Sequence, residues 1–335
     1  MPLLGKDLGI DLGTVNTLIC EGNEVVLHEP TVVAIDIEEL KIVEVGQAAR
    51  DMEGRVPETI EVMRPLRDGV IADFEVTHRM LGHFVEKVCG PARLFKPRIM
   101  ITVPYGVTSV ESRAVHEAAL QAGSRDAFLI QEPLAAAIGV GLPVATPSGN
   151  MVVNLGGGVT QAAVISAGGI VAADTVRSGG IRLDDAIIAY VRKKYGLIMG
   201  PRTSEEAKIR IGAAVPQDEE RTMEIQGQDQ VTGLPRTITL MTGEIVEALQ
   251  ETLNLQLAAV RSVLEHTPPE LASDIIDRGM VITGGASLLR GIDKWLTHKT
   301  GVPAYLAEDP TECIAKGASR GLTMLERIKR YLPAV

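Results

Sequence analysis

Asp11 closes an apolar run and is followed at once by Leu12-Gly13-Thr14. A turn of Gly and Thr leaves backbone N–H groups without side-chain cover, and such concave clusters bind phosphate oxygens. A carboxylate beside that turn could hold a hydrated Mg2+ next to the phosphates, although Asp-Leu-Gly-Thr by itself fits a turn-capping aspartate equally well. The pattern recurs. Residues 8–18 (LGIDLGTVNTL) and 152–165 (VVNLGGGVTQAAVI) each run from an apolar strand through an acid or its amide, then Leu-Gly and a small-residue turn, into a second apolar strand. Two facing hairpins of this kind could clamp one polyphosphate between two halves of a molecule. A third glycine turn, Gly284-Gly285-Ala286-Ser287, follows the strand-like Met280–Thr283. The run Gly156-Gly157-Gly158-Val159-Thr160-Gln161 lacks the final glycine of a dinucleotide fingerprint, and no G-x-x-x-x-G-K-[ST] occurs, which disfavours Rossmann and P-loop readings.

The elements that must position these turns alternate in type. Arg98–Val103 (RIMITV) reads as a buried strand, and Ser109–Gln121 as a helix with Glu111, Arg113 and Glu117 outward. Residues 184–195 and Thr242–His266 carry helical periodicity, so the second half repeats the logic of the first and the class is α/β. Residues 215–236, rich in Pro, Gly and Gln, mark an insertion with strands of its own. No charged residue occurs over 133–173, a length that could span a bilayer. Pro143, Pro147, Gly149 and the triple glycine interrupt it, so buried strands and a small-residue helix are expected instead.

Composition sets the frame. With 335 residues, 45% hydrophobic and 23% charged, about two domains are expected. A net charge of −10 without any long basic run excludes nucleic acid as a partner, since phosphate neutralisation needs clustered Lys and Arg. Cys20, Cys89 and Cys313 lie singly, without the spacing of zinc ligands or a disulfide framework, which fits a reducing compartment. Met1-Pro2-Leu3-Leu4-Gly5-Lys6 is too short for a signal peptide, and the cytoplasm is the expected location.

Taken in order, IDLGTVNTL, QEPLAAAIG, NLGGGVTQAAVIS, GMVITGGASLLRG and EDPTECIAKGASRGL resemble the phosphate, connecting and adenosine motifs of the actin-fold ATPases. The chain is most similar to the bacterial actin homologues of the MreB/Mbl branch, and residues 64–74 (RPLRDGVIADF) resemble a stretch distinctive of that branch. The resemblance covers essentially the whole chain. It implies an actin-like, ribonuclease H-like α/β fold of two domains flanking a nucleotide cleft, each with a smaller subdomain: residues 1–33, 67–145 and 318–335 as subdomain IA, 34–66 as IB, 146–180 with 246–317 as IIA, and 181–245 as IIB.

By the same likeness, Asp11 is the metal-side acid; Gly13, Thr14, Val15, Asn16 and Thr17, with Gly156, Gly157, Gly158 and Val159, form the cradles for the phosphates of ATP or ADP. Glu205 and Lys208 face the adenosine, and Gly284, Gly285, Ala286 and Ser287 turn over adenine and ribose. Glu132, read from its neighbours alone, is a helix-start acid favoured by the dipole; in the family the matching acid orients the water that attacks the γ-phosphate, and phosphoryl transfer chiefly needs a placed water and neutralised charge. The chain departs from the family pattern where Asp, Thr and Glu are usual and it carries Asn154, Val159 and Gln161. Asn154 would then reach Mg2+ through water, and Gln161 would stand in a catalytic position without a carboxylate's charge or its ability to take a proton. Slow ATP hydrolysis with retained ATP binding is the expectation.

Arg93-Leu94-Phe95-Lys96-Pro97-Arg98 sets two bulky apolar side chains among three basic ones. Isolated apolar loop residues usually fold into the core, but this segment resembles the membrane-inserting loop of the family. Burying Leu94 and Phe95 would contribute about 1.5–3 kcal/mol each, and each cation about 1 kcal/mol at an anionic surface. One subunit would bind weakly, and a polymer would multiply the contact. The resemblance implies head-to-tail, paired protofilaments at the inner face of the cell membrane that act with wall-synthesis membrane proteins. A small-molecule kinase or a chaperone-type ATPase on the same fold is the competing function, against which stand the length and residues 64–74.

Overall fold

The computed structural model describes residues 5–90 and 96–334; Leu94 and Phe95 lie outside the described residues. Its frame is a pair of five-stranded sheets. The first runs Asp126–Gln131, Arg98–Val103, Asp7–Leu12, Asn16–Glu21, Glu24–Pro30, and the second Ala304–Leu306, Met280–Thr283, Asn150–Leu155, Thr160–Ser166, Gly169–Val176. In each, two antiparallel hairpin connections are followed by two parallel pairings. The repetition expected from the two glycine hairpins therefore extends to the whole sheet order.

The strands form where apolar runs can be buried on both faces, as in Arg98–Val103, where only the first residue keeps appreciable exposure. Ser109–Gln121 and Thr242–His266 are helices with the bounds expected from their periodicity. The first is fixed by a capping box, with Glu111 N donating to Thr108 Oγ1 at 3.2 Å and Thr108 N to the Glu111 carboxylate at 2.7 Å. Residues 184–195 belong to a longer helix, Gly180–Tyr195, and the insertion contains the strands Thr222–Asp229 and Pro235–Met241. With Leu197–Ile198 these two make a three-stranded sheet; Val33–Asp36, Lys41–Val45 and Ile60–Met63 make another beside the first large sheet. The uncharged run 133–173 is the buried helix Glu132–Gly139 and the strands of the second sheet.

Between the large sheets cross two helices of small residues, Glu132–Gly139 and Cys313–Thr323. They meet backbone to backbone: a Cβ on Gly317 would lie 1.7 Å from the Ala135 carbonyl oxygen, and one on Gly139 1.8 Å from that of Cys313. Met100 and Ile130 of the first sheet and Val152, Ala163 and Ile165 of the second join one apolar cluster around this crossing. The crossing sets where the two halves stand, and hence the cleft above it.

Candidate functional site

The two glycine turns face each other across that cleft. Each is closed by the same bond, Gly13 N to Asn16 O at 3.1 Å and Gly156 N to Val159 O at 2.9 Å. A Cβ on Gly13 or Gly156 would collide with the carbonyl that its own N–H donates to, at 2.6 and 2.9 Å, so the first glycine of each turn is required by the closure. Across the gap, a Cβ on Gly157 would meet Val15 Cγ2 at 2.3 Å and one on Gly158 would meet Thr14 Oγ1 at 2.4 Å. The N–H groups of Thr14, Val15, Gly157 and Gly158 have no acceptor among the described residues, while Gly156 O and Gly157 O are taken by Gly180 N and Ile181 N, both at 2.9 Å. The start of the helix Gly180–Tyr195 is thus locked onto the second turn, and the residues that carry the free donors of both turns line one cavity of about 390 Å³. That is the arrangement an anion with several oxygens needs.

Most residues expected at the site line this cavity: Asp11, Gly13, Thr14, Val15, Asn16, Glu132, Asn154, Gly156, Gly157, Gly158, Val159, Glu205, Lys208, Gly284, Gly285 and Ala286. Three do not. Thr17 lies in the strand Asn16–Glu21, fully buried, with Oγ1 2.9 Å from Thr31 Oγ1; Thr31 Oγ1 donates in turn to Gly13 O at 2.7 Å, so Thr17 braces the turn from behind. Ser287 is buried, its hydroxyl donating to Gly284 O at 2.6 Å. Gln161 is fully buried behind Glu132.

Gln161 Nε2 donates to Glu132 Oε2 and Asn154 Nδ2 donates to the same oxygen at 3.0 Å. Gln161 Oε1 accepts from Tyr105 N at 2.7 Å. An amide can do both at once, whereas a glutamate there could only accept. No described donor reaches Glu132 Oε1, leaving it as the acceptor at the cavity wall. Burial, and then the nearby Asp11 carboxylate, push the Glu132 carboxyl up from the ordinary range, against the two amide bonds that pull it down. Asp11 is also pushed up by burial, partly offset by the Thr102 hydroxyl, which donates to its Oδ1 at 3.1 Å.

The residues present fit a hydrated divalent cation. Mg2+ keeps most of its water and asks for only one or two carboxylates; Asp11 lines the cavity, and Asn154 Oδ1 is a buried acceptor with no donor among the described residues, a partner suited to a metal-bound water.

At the other end, Lys208 Nζ, on the helix Pro201–Ile211, bonds Asp184 at 2.8 Å and Gly180 O at 3.0 Å. Burial raises the Asp184 carboxyl to about 6 in spite of that lysine. Glu205 is paired with Arg50. Gly284 adopts φ +87°, and a Cβ there would strike Leu155 O at 2.4 Å, so this turn sits flush on the second hairpin. Beside it, exposed Ile209 and Leu288 give apolar walls that suit a flat ring.

Sequence reasoning passed over several residues of the cleft. Arg64 lines it, its Nε buried without a partner among the described residues. Gly69, at the tip of the hairpin Leu66–Arg67/Val70–Ile71, donates its N–H to Thr14 Oγ1 at 2.9 Å, and a Cβ there would lie 3.1 Å from Val159. The Asp68-Gly69 pair was the available signal, a standard two-residue hairpin turn.

Comparison with known proteins places this architecture. The sequence matches the MreB/Mbl protein family over residues 5–330. It is 48% identical over 329 residues to the cell shape-determining protein Mbl of Bacillus cereus, covering 98% of each chain. It is 49% identical over 330 residues to the cell shape-determining protein MreB of Escherichia coli, covering 97% of this chain and 95% of that protein. Among solved structures it superposes on MreB5 of Spiroplasma citri bound to ADP with a TM-score of 0.92 at 32% identity, over 98% of this chain and 99% of that one. A second structure of the same protein, bound to AMPPNP, matches with a TM-score of 0.91.

Proposed function

The chain belongs to the MreB/Mbl family and has its actin-like fold, and on that premise we propose that it binds ATP or ADP with Mg2+ in the cleft, polymerises head to tail, and serves as a cell shape-determining cytoskeletal filament. The observation that carries the reading is the pair of facing turns, with Gly157 opposite Val15 and Gly158 opposite Thr14, all four lining one cavity with N–H groups that have no acceptor among the described residues. Thr14, Val15, Gly157 and Gly158 cradle the phosphates. Asp11, and Asn154 through water, hold the cation, which when bound neutralises phosphate charge. Glu205, Lys208, Gly284, Gly285 and Ala286 take the adenosine. MreB5 of Spiroplasma citri has been solved with ADP and with AMPPNP, in keeping with this assignment. In this reading subdomain IA comprises residues 1–33, 67–145 and 318–335, IB 34–66, IIA 146–180 with 246–317, and IIB 181–245. The helix Cys313–Thr323 runs through one of these boundaries.

Hydrolysis is slow in this reading. Glu132 Oε1 accepts a hydrogen bond from the attacking water, which aligns it on the γ-phosphate. The surroundings of Glu132 are amides, so two acids that would share a proton or carry charge toward the cation are missing, and Oε2 is committed to Asn154 and Gln161. Filaments lie at the inner face of the cell membrane, held by Leu94 and Phe95 and their basic neighbours, and organise wall synthesis there with membrane proteins of that machinery. No helix among the described residues is long and apolar enough to cross a membrane.

Sedimentation with ATP, with ADP and without nucleotide tests the core of this proposal. Pelleting polymers together with saturable nucleotide binding are expected. A monomer that binds no nucleotide under any condition overturns it.

A further inference from the structure

The adenosine-side carboxylate is already engaged from across the cleft. Arg50 Nη2 bonds Glu205 Oε2, two residues 155 positions apart in sequence, each with about a quarter of its side chain exposed. Both ends are held rigidly. Arg50 sits on the short helix Gln47–Met52, whose first turn is fixed by Gln47 N to Glu29 Oε2 at 2.9 Å and Gly46 N to Val32 O at 2.9 Å, and whose Ala49 is buried against Val32 and Ala34. Glu29 is tied in turn to Lys87 on the helix Phe74–Cys89. Glu205 sits on Pro201–Ile211, which is locked to Gly180–Tyr195 by Ser204 Oγ donating to Asp184 O at 2.8 Å and by the Lys208 bonds. The pair therefore spans the cleft between two well-anchored lobes. Other contacts between the halves, among them Gly69 on Val159, Tyr105 N on Gln161, the Asn154 and Gln161 amides on Glu132, Thr175 Oγ1 on Tyr105 O and Arg177 with Glu111, join residues outside 34–66 and 181–245.

We propose that Arg50 is a positioning residue of this cleft: its guanidinium fixes the Glu205 carboxylate and latches the lobe of residues 34–66 to that of residues 181–245, so that a bound nucleoside is held until the pair opens. The part concerning the nucleoside rests on the function proposed above; the latch between lobes does not. A carboxylate has about four acceptor sites, so Glu205 can keep Arg50 and still receive a ribose hydroxyl. Held by one cation at a fixed angle, it presents its remaining lone pairs to the cavity in one orientation. A partly exposed ion pair is also screened by salt, which gives the latch a signature that simple packing lacks.

The test uses the full chain. Release of a fluorescent ATP analogue is followed by stopped flow in wild type, Arg50→Ala and Arg50→Lys at about 0.05 and 0.5 M salt. Release about fivefold faster in Arg50→Ala is expected, with Arg50→Lys close to wild type; salt should speed release from wild type and leave Arg50→Ala unchanged. In parallel, spin labels on cysteines introduced at exposed Leu40 and Val231, with Cys89 replaced by Ser, report the distance between lobes without nucleotide. It should broaden in Arg50→Ala, and in wild type at high salt. Wild-type release rates in Arg50→Ala, or a lobe distance indifferent to both the substitution and salt, overturn the proposal. Should wild type bind no nucleotide, the proposed function fails while the distance measurement still decides the latch. Should Arg50→Ala not fold, the salt dependence of the wild-type distance decides it.

Discussion

Replacing Asn154 with Asp tests how the cleft manages charge. Asn154 Nδ2 lies 3.0 Å from Glu132 Oε2, and both residues are almost fully buried. The substitution removes one of the two donors on Glu132 Oε2, which costs about 1–3 kcal/mol. It also sets a second carboxylate at the same spacing. Two full charges about 3 Å apart repel by about 5 kcal/mol at an effective dielectric constant of about 20, and the protein escapes most of this by keeping one proton on the pair. A net loss of about 3 kcal/mol at pH 8 follows for the nucleotide-free protein, which is a fall in Tm of about 4 °C for a chain of this size. The fall should shrink at pH 5, where the pair holds its proton without cost, and shrink again with Mg-ATP, whose cation offsets the added charge. Phosphate release should rise about tenfold or more, because a carboxylate can take the proton that an amide cannot. Thermal melting at two pH values, with and without Mg-ATP, and a phosphate-release assay read all of this. Equal melting of variant and wild type at pH 8, together with an unchanged release rate, would refute the reasoning.

Glu132→Gln should abolish phosphate release and, in the nucleotide-free state, stabilise the fold at pH 8. Burial and Asp11 hold the Glu132 carboxyl above its ordinary range, so the folded state keeps a proton that the unfolded state has lost; stability falls as pH rises through that window, the glutamine escapes the fall, and the two proteins should melt alike near pH 4. Gly317→Ala places a Cβ 1.7 Å from Ala135 O and should cost about 3 kcal/mol in thermal melting. Replacing Leu94 and Phe95 with Ser should abolish co-sedimentation with anionic liposomes, and unchanged pelleting would remove the membrane contact from the proposed function.

The parts of this molecule that the sequence made legible are those where a local pattern and a buried consequence coincide. The strands flanking Gly13 and Gly156 stand out because apolar runs stop at glycine, and Thr242–His266 stands out because its buried positions recur with helical spacing. Orientation within a strand was harder. Thr17 belongs to the first hairpin, but successive side chains of a strand point to opposite faces, and its hydroxyl meets Thr31 instead of the cavity. The remainder depends on positions distant in sequence. Nothing near Arg50 announces Glu205. The fit of Gly139 and Gly317 into opposing helix backbones appears only when the two helices cross. The amides at 154 and 161 read as a simple loss of acids until both are found on one oxygen of Glu132.

That convergence explains why the chemistry belongs to the closed molecule. The two sheets repeat one strand order, yet their contributions differ: Asp11 and the helix carrying Glu132 come from the first half, while the amides that hold the Glu132 carboxyl come from strands of the second. Gln161 also accepts from Tyr105 N, back on the first half. Any shift of one half against the other must therefore stretch the bonds on Glu132 before it opens the floor of the cleft. With two acids in place of the amides, the same shift would be driven by repulsion unless a cation were present; with amides, the floor stays joined with or without one. In the proposed function, Asn154 and Gln161 thus exchange hydrolytic power for a cleft whose base holds together with or without a cation, and the proposed Arg50–Glu205 latch is what governs nucleotide exchange at the mouth.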